Sequence, residues 1–217
     1  MNSRRIRATP ATSILIGAIL LGFAIEVLTG AWLDGEKLAR LGAIMGYSVF
    51  VEHEYWRLLT AMFLHGDGTP RGTALHLAMN LLALYQIGSL FEVMFGTRRY
   101  LLIYFSTGLI ASLTSAYMNR GASVGASGAL FGILGAFVVS VWRSPRWRHE
   151  RGARSIVNQL IFWIVVNLFV GQLIPKIDMS AHVGGLVAGL LLGAILPHRV
   201  PPPPPSQVVI DVAPQQD

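Results

Sequence analysis

Residues 121–132 read Gly-Ala-Ser-Val-Gly-Ala-Ser-Gly-Ala-Leu-Phe-Gly and pass without a break into an apolar run that ends near Trp142. We interpret this stretch as a loop that delivers Ser127 to the first turn of a buried helix. Gly125 and Gly128 remove side chains that would crowd Ser127, and the free N–H groups of a helix start can stabilise negative charge beside it. A nucleophile with an oxyanion hole needs these features. Close helix packing is the alternative interpretation, because clusters of small residues in membrane helices let neighbouring helices approach.

The composition around this stretch is that of an integral membrane protein. Of 217 residues, 53% are hydrophobic and only 13% are charged, which argues against a soluble globular protein. Six apolar stretches are long enough to cross a bilayer as helices, so we predict an all-α polytopic bundle of six transmembrane helices. The predicted spans are 13–33, 73–94, 100–118, 125–142, 155–174 and 180–196. The predicted organisation is a short cytoplasmic segment (1–12), a six-helix membrane domain (13–198) and a Pro-rich disordered cytoplasmic tail (199–217).

The basic residues are distributed unevenly between the two sides of this topology. Eleven fall on the side of the N-terminus and six on the other side, which favours cytoplasmic termini under the positive-inside rule. Basic residues at helix ends also suit contact with anionic lipid, and no basic domain interleaved with aromatic residues suggests a nucleic-acid partner. The eleven are Arg4, Arg5, Arg7, Arg98, Arg99, Arg143, Arg146, Arg148, Arg151, Arg154 and Arg199, and the six are Lys37, Arg40, Arg57, Arg71, Arg120 and Lys176.

The second span carries two polar residues, His76 and Asn80, at positions i and i+4. This spacing puts both side chains on one face of the helix, one turn apart. Polar groups at that depth are costly unless they face the protein interior. Two interpretations stay open: hydrogen bonds that hold the bundle together, or donors to a transient species.

The sixth span places His182, Gly185 and Gly189 at i, i+3 and i+7, along a single helix face. Gly185 and Gly189 form a G-x-x-x-G pair, which allows another helix to approach almost backbone to backbone. The small residues of the fourth span, from Ser127 onward, offer the matching surface. An imidazole above a glycine stripe and opposite a serine is poised to act as a base, although a lone buried histidine is more commonly structural.

Residue types exclude several other hydrolase chemistries. The chain has no cysteine, no His-Glu-x-x-His sequence and no pair of intramembrane aspartates. We place only one acid, Glu26, well inside a span. We also expect no Asp or Glu near Ser127 or His182 in sequence to act with them, which predicts a Ser–His dyad rather than a triad.

Two sites near the membrane boundaries carry charged residues that do not point to a particular chemistry. Trp56 and Arg57 lie in the long extracytoplasmic segment 34–72, where an interfacial anchor is favoured over a substrate-facing role. Glu92, at the end of the second span, precedes Arg98 and Arg99. We interpret Glu92 as part of a local ion pair or as a helix-end anchor.

Taken together, these motifs resemble those of the rhomboid family of intramembrane serine proteases, over about residues 13–198. The motifs that carry the resemblance are Gly125-Ala-Ser127-Gly128, Ala181-His182-Val-Gly-Gly185-x-x-x-Gly189, His76-x-x-x-Asn80 and Trp56-Arg57. The resemblance implies that Ser127 is the nucleophile and His182 its general base. It also implies an oxyanion hole formed by His76, Asn80 and the backbone N–H of Ser127.

The resemblance further implies an endopeptidase that uses no metal and no cofactor. Its substrates would be membrane-anchored proteins, cut within or beside a transmembrane helix. It suggests a bacterial cell membrane, with the site toward the extracytoplasmic side, and no oligomeric state follows from it. Two features depart from the family pattern. Phe131 stands where members often have tyrosine, which keeps stacking on His182 but loses a hydroxyl, and the connection from His65 to His76 is longer than usual.

Two functions of other classes remain as alternatives. A non-catalytic rhomboid-like chaperone or binding protein would share the fold, but the loss of a dyad residue that usually marks such proteins is absent here. A transporter is less favoured, since the chain lacks an evident inverted repeat with interrupted helices at the midplane.

Overall fold

The computed structural model describes residues 9–119, 121–145, 151–173 and 177–196. Within these residues the regular structure is helical, and the sole extended pairing is an isolated bridge between Ile44 and Ser123. In chain order, the helices are α1 (Pro10–Thr29), α2 (Gly35–Leu41), α3 (Gly46–Phe50), α4 (Arg57–Thr60), α5 (Pro70–Phe95), α6 (Thr97–Met118), α7 (Ser127–Arg143), α8 (Arg151–Leu173) and α9 (Met179–Ile195). A π-helical turn, Leu84–Gly88, interrupts α5.

The long helices account for the predicted spans. Four segments are long and apolar enough to cross a membrane: α1, α5, α6 and the part of α8 from Arg154 to Leu173. The fourth and sixth predicted spans correspond to α7 and α9, which are apolar but have only 17 residues each. The prediction of an all-α polytopic membrane bundle is therefore confirmed. At 1.5 Å per residue the two short helices reach only about 26 Å, less than the roughly 30 Å of a hydrocarbon core.

Helix α7 occupies the centre of the bundle. Twelve of its 17 residues are buried, whereas α1, with 20 residues, buries five. A helix that is apolar and buried on nearly all sides must be surrounded by other elements. Its most extensive neighbour is α9, and α6 contacts both of them. The residues at the start of α7 are thus held by packing on several sides.

Helices α7 and α9 meet through their backbones. A Cβ atom built on Gly185 would overlap the backbone of Gly128, and one on Gly189 would overlap the backbone of Gly132. Gly193 meets Ala136 in the same way, one further turn along. Contacts at every fourth residue are the pattern expected where small residues line both helices. This interface brings the first turns of α7 and α9 together.

Glu92 has a different role from the predicted one. It is buried, and its carboxylate accepts hydrogen bonds from the backbone N–H groups of Ala11 and Thr12 at 3.0 and 2.8 Å. The hydroxyls of Thr12 and Thr97 donate to it as well, each at 2.8 Å. A carboxylate is well suited to these donors because free N–H groups and partial positive charge collect at a helix start. The ion-pair interpretation is wrong: Glu92 caps the first turn of α1.

Arg57 also departs from its predicted role as an interfacial anchor. Its side chain is buried, donates to Glu54 at 2.6 Å, and reaches the carbonyl oxygens of Ala39 and, at 3.1 Å, Ala43. The guanidinium lies 4.8 Å from the ring centroid of Trp56, which is 47% exposed. Arg57 therefore holds the connection after α2 in place, while only Trp56 remains available to the interface.

Some predicted features lie outside the described residues. These are most of the segment 1–12, the Pro-rich tail 199–217, and the basic residues Arg4, Arg5, Arg7, Arg120, Arg146, Arg148, Lys176 and Arg199. The domain boundaries and the orientation in the membrane consequently stay predictions.

Candidate active site

Ser127 is the first residue of α7. Backbone hydrogen bonds attach the loop before it to two other segments of the chain. Ser123 pairs with Ile44 through two backbone hydrogen bonds of 2.9 and 3.0 Å. The Gly125 N–H donates to the Ala61 carbonyl at 2.8 Å, and Gly125 adopts a φ of +122° that strongly favours glycine. These contacts direct the chain into the helix so that the Ser127 side chain faces α9.

His182, in the first turn of α9, meets Ser127 directly. Its Nε2 atom lies 2.8 Å from the Ser127 Oγ atom. The His182 side chain is largely buried, and its Nδ1 atom makes no hydrogen bond within the described part of the chain. With a proton on Nδ1, the neutral ring presents Nε2 as an acceptor for the serine hydroxyl. This pair can transfer a proton from oxygen to nitrogen without further movement.

Phe131 lies one turn after Ser127 and covers the imidazole of His182. The two ring centroids are 4.4 Å apart, and the ring planes differ by 19°, so the rings are stacked. Since no hydrogen bond holds Nδ1 in the described residues, this contact is a main restraint on the orientation of the imidazole. Phenylalanine supplies the stacking surface without a hydroxyl.

His76 and Asn80 lie on α5, and His76 lies beside the loop that precedes Ser127. A Cβ atom on Gly125 would come 2.6 Å from Nε2 of His76, so the absence of a side chain at Gly125 makes room for this ring. The His76 Nδ1 atom lies 3.2 Å from the carbonyl oxygen of His65. Since a carbonyl only accepts, Nδ1 carries the proton, and Nε2 can donate only after taking up a second proton.

Asn80 makes a bond within its own helix. Its Nδ2 group donates to the His76 carbonyl at 2.9 Å, and the buried Oδ1 atom has no partner among the described residues. The amide keeps a second N–H that this bond does not use. The structure thus groups Ser127, His182 and Phe131 in direct contact, with His76 beside the loop and Asn80 one turn further along α5.

His65 is buried against His76, with their ring centroids 5.0 Å apart. Burial and the positive charge that His76 can carry lower the pKa of His65 to about 3, although the Phe63 carbonyl opposes this shift. The ring is therefore neutral at physiological pH.

The long connection after His65 is closed by its own polar groups. Asp67 accepts from the N–H and the hydroxyl of Thr69, each at 2.8 Å, and Thr69 caps the start of α5 through the N–H of Gly72. The extra residues thus form a turn, and the His65 carbonyl still reaches His76.

One residue near the pair was missed by sequence reasoning: Asp178, four positions before His182. Its side chain accepts from the N–H of Ala181 at 3.1 Å and so caps α9. Burial raises the pKa of Asp178, but hydrogen bonds, chiefly from the hydroxyls of Ser115 and Ser180, lower it more, so the net pKa lies below its usual range. An aspartate just before an apolar run is an N-cap signal, and that signal was available in the sequence.

The described residues contain no group of three or more His, Cys, Asp or Glu side chains that could hold a metal ion. The groups present at the site are the serine, the histidine and the N–H donors around them. A serine hydroxyl bonded to an imidazole, next to unpaired N–H groups of a helix start, is suited to nucleophilic attack and to stabilising the oxyanion that forms.

Comparison with known proteins shows similarity to a single family. The family model described as the rhomboid domain matches residues 52–199. The chain is 38% identical to "Rhomboid protease GluP" of Bacillus subtilis (strain 168) over 185 residues, which cover 85% of this chain and 34% of that protein. It is 40% identical to "RHOMBOID-like protein 1" of Arabidopsis thaliana over 159 residues, covering 73% of this chain and 39% of the relative.

A third relative is more distant in sequence but is matched over more of its length. "Rhomboid-like protease 3" of Toxoplasma gondii is 29% identical over 181 residues, which cover 82% of this chain and 66% of the relative. The chain spans between a third and two fifths of the length of the first two relatives. The residues matched by the family model, 52–199, include Ser127 and His182.

Proposed function

The chain belongs to the rhomboid family, and from that membership we propose that it is an intramembrane serine endopeptidase. The substrates proposed are membrane-anchored proteins, cut within or next to a transmembrane helix. The observation that carries the proposal is the 2.8 Å contact between Ser127 Oγ and His182 Nε2. Two relatives whose names include "protease" support it, since both are matched over most of this chain.

In this mechanism Ser127 is the nucleophile. Its Oγ atom attacks the carbonyl carbon of the scissile peptide bond while its proton passes to Nε2 of His182. The C–N bond then breaks, and His182 returns the proton to the leaving amine. A water molecule attacks the resulting ester and gives a proton to His182. The ester C–O bond then breaks, and Ser127 recovers its proton from His182.

The negative charge of the tetrahedral intermediate needs donors on the other side of the reacting carbon. The backbone N–H of Ser127, at the start of α7, is one of the N–H groups that a helix leaves without an internal partner. We assign the second N–H of Asn80 and the Nε2 position of His76 as the further donors. His76 can donate from Nε2 in this role only when its ring carries a second proton, because the Nδ1 proton is held by the His65 carbonyl.

The lengths of α7 and α9 bear on where hydrolysis takes place. Both helices are shorter than the bilayer core, so a helix that reaches the cytoplasmic boundary at its far end starts below the opposite surface. Ser127 and His182 both lie in first turns. With cytoplasmic termini, as the basic residues favour, the pair faces the extracytoplasmic side at a depth that water reaches by a short route.

The test uses protein reconstituted with a transmembrane substrate and, in parallel, a serine-reactive fluorophosphonate. Wild type should cleave the substrate and take up the probe, and Ser127→Ala should do neither, since no other nucleophile is available at the site. His182→Ala should lose nearly all of both activities. Folding of each variant is checked by thermal unfolding in detergent.

The same test separates the proposal from its alternative. Cleavage at the wild-type rate by folded Ser127→Ala would end the serine-protease assignment. A folded wild type that binds transmembrane proteins but neither cleaves them nor takes up the probe would instead support a rhomboid-like binding protein.

A further inference from the structure

We propose that Asp178 is a positioning residue, which sets the register of the helix carrying His182 against α6. This inference rests on the proposed function, since the register matters through the contact of His182 with Ser127. It concerns a residue that makes no contact with the reacting atoms in the proposed mechanism.

The carboxylate of Asp178 is a shared acceptor for two helices. On its own helix it accepts from the Ala181 N–H at 3.1 Å and from the Ser180 hydroxyl. From α6 it accepts the hydroxyl of Ser115 and, at 3.1 Å, the amide of Asn119. These four donors come from two helices, α6 and α9.

These hydrogen bonds resist sliding and rotation of α9, which the glycine interface does not resist well. The contacts of Gly185 and Gly189 with α7 bring the two backbones together, but van der Waals contacts between smooth surfaces resist sliding and rotation only weakly. Hydrogen bonds to a carboxylate are short, directional and about twice as strong as those between neutral groups. Asp178 therefore fixes the depth and rotation of the first turn of α9, where His182 lies.

The position of this turn matters because little else directs the imidazole. Nδ1 of His182 has no hydrogen-bond partner within the described residues, so no acid holds the ring in the manner of a catalytic triad. Phe131 restrains the plane of the ring but not its movement along the face of Phe131. The backbone of α9, bonded through the His182 N–H to the Asp178 carbonyl at 3.3 Å, must supply the remaining restraint.

The first experiment measures kcat and KM on a reconstituted transmembrane substrate, with active sites counted by fluorophosphonate titration. Asp178→Ala should lower kcat per active site about 10²-fold, the effect of a displacement of roughly 1 Å, and leave KM within about twofold. Asp178→Asn should lower kcat by about tenfold, since one of its two terminal atoms becomes a donor facing other donors. Wild-type kcat per active site in folded Asp178→Ala would overturn the proposal.

Exchanging the side chains of Asp178 and Asn119 distinguishes a positioning role of Asp178 from a general effect on protein stability. Asn119 donates through Nδ2 to Asp178 and accepts the N–H of Gly121 through Oδ1 at 3.1 Å. In the double variant Asp178→Asn, Asn119→Asp, the amide and the carboxylate change places and both bonds can still form. This variant should recover kcat to within about threefold of wild type, whereas Asn119→Asp alone places two carboxylates together and should not. A double variant no better than Asp178→Asn would count against the proposal.

Asp34 provides the matched control. It also caps a helix, through the N–H groups of Glu36 and Lys37 at 2.9 and 3.2 Å, but that helix, α2, carries none of the site residues. Asp34→Asn should leave kcat and KM unchanged. A loss of kcat equal to that of Asp178→Asn would mean that any damaged helix cap slows the enzyme, and the specific role of Asp178 would be rejected.

A second measurement does not depend on activity. The chain has no cysteine, so spin labels can be attached to cysteines introduced at Met118 on α6 and Val183 on α9, both of them exposed. The distance distribution should be narrow in wild type, shifted or broadened in Asp178→Ala, and narrow again in the swapped double variant. An unchanged distribution in Asp178→Ala would overturn the positioning role, whereas absence of cleavage by wild type would reject the proposed function alone.

Discussion

Gly185 of α9 lies directly against the backbone of Gly128 in α7, and a single Cβ atom on Gly185 would overlap the Gly128 carbonyl group. Gly128 follows Ser127, and Gly185 lies three residues after His182. The separation of the two helices at this point therefore controls the distance between the nucleophile and the base.

Replacing Gly185 by leucine should abolish cleavage while leaving membrane insertion intact. The side chain must push α9 away from α7, and a displacement of about 1 Å is enough for a loss on the order of 10²-fold. Insertion depends on hydrophobicity, which the substitution raises. The matched control is Gly17→Leu in α1, where a Cβ atom meets nothing within 4 Å. Equal activity of the two leucine variants would contradict the importance of this contact.

Phe131→Ala should slow the reaction of Ser127 with a fluorophosphonate by about tenfold, since an aromatic stacking contact is worth about 0.5–1.5 kcal/mol. Phe131→Tyr should react at nearly the wild-type rate, because it retains the ring that lies 4.4 Å from His182. The measurement is the rate of covalent labelling of folded protein. Wild-type labelling by Phe131→Ala would show that stacking does not orient the imidazole.

Asn80→Ala should reduce kcat by about 10²–10³, the usual effect of removing one oxyanion-hole donor, while some labelling by the probe remains. Asn167→Ala on α8 is a close control, because Asn167 makes the same bond to the carbonyl four residues earlier, at 2.8 Å, but is exposed. Its activity should match wild type. A similar small loss in both variants would indicate that Asn80 only stabilises its helix.

Glu92→Gln should destabilise the fold by about 2–4 kcal/mol, because bonds to a charged acceptor are weakened and an amide N–H₂ group is turned toward other donors. The four donors that now meet the carboxylate come from Ala11, Thr12 and Thr97. Thermal unfolding in detergent measures the loss, with Glu36→Gln on the exposed face of α2 as control. Equal stability of both variants would contradict the capping role.

Acidification should destabilise the protein partly through His65. The folded pKa of about 3 lies below the ordinary value of 6.5, so the unfolded chain binds a proton below pH 6.5 that the folded chain does not bind until about pH 3. Stability from this group is complete above pH 6.5 and falls by up to about 1.4 kcal/mol per pH unit below it, or about 2 kcal/mol at pH 5. His65→Gln should lose this part of the pH dependence when unfolding is measured between pH 5 and 7.5. An identical pH dependence in both proteins would contradict the burial of a neutral His65.

Much of the architecture follows from local features of the chain. The apolar stretches predicted six membrane helices, and the two that the structure makes short, α7 and α9, are those richest in small residues. The glycine spacing on the sixth span predicted a close approach to the fourth, and the structure has Gly185 against Gly128 and Gly189 against Gly132. Hydrophobicity and side-chain size act at each position separately, so they can be read without knowing the fold.

The hydrogen-bond partners of the buried polar groups could not be predicted from local features of the sequence. Glu92 was interpreted through its neighbours in sequence, Arg98 and Arg99, but its main partners lie 80 and 81 positions earlier at the start of α1. Arg57 was interpreted as an anchor at the interface and is instead buried against the carbonyl oxygens of Ala39 and Ala43. The sequence shows Asp178 only as an N-cap candidate, whereas the structure gives it donors from two helices, α6 and α9.

The sequence by itself determined that this is a helical membrane protein, and it singled out Ser127 and His182 as residues of the right type. Only the tertiary structure decided that Nε2 and Oγ stand 2.8 Å apart, that Nδ1 of His182 has no partner among the described residues, and that Asp178 joins α6 to α9. The physical reason is the range of the interactions. Burial in lipid depends on each residue and its close neighbours, whereas a hydrogen bond requires two groups from distant segments to meet within a few tenths of an ångström, which only the packed bundle specifies.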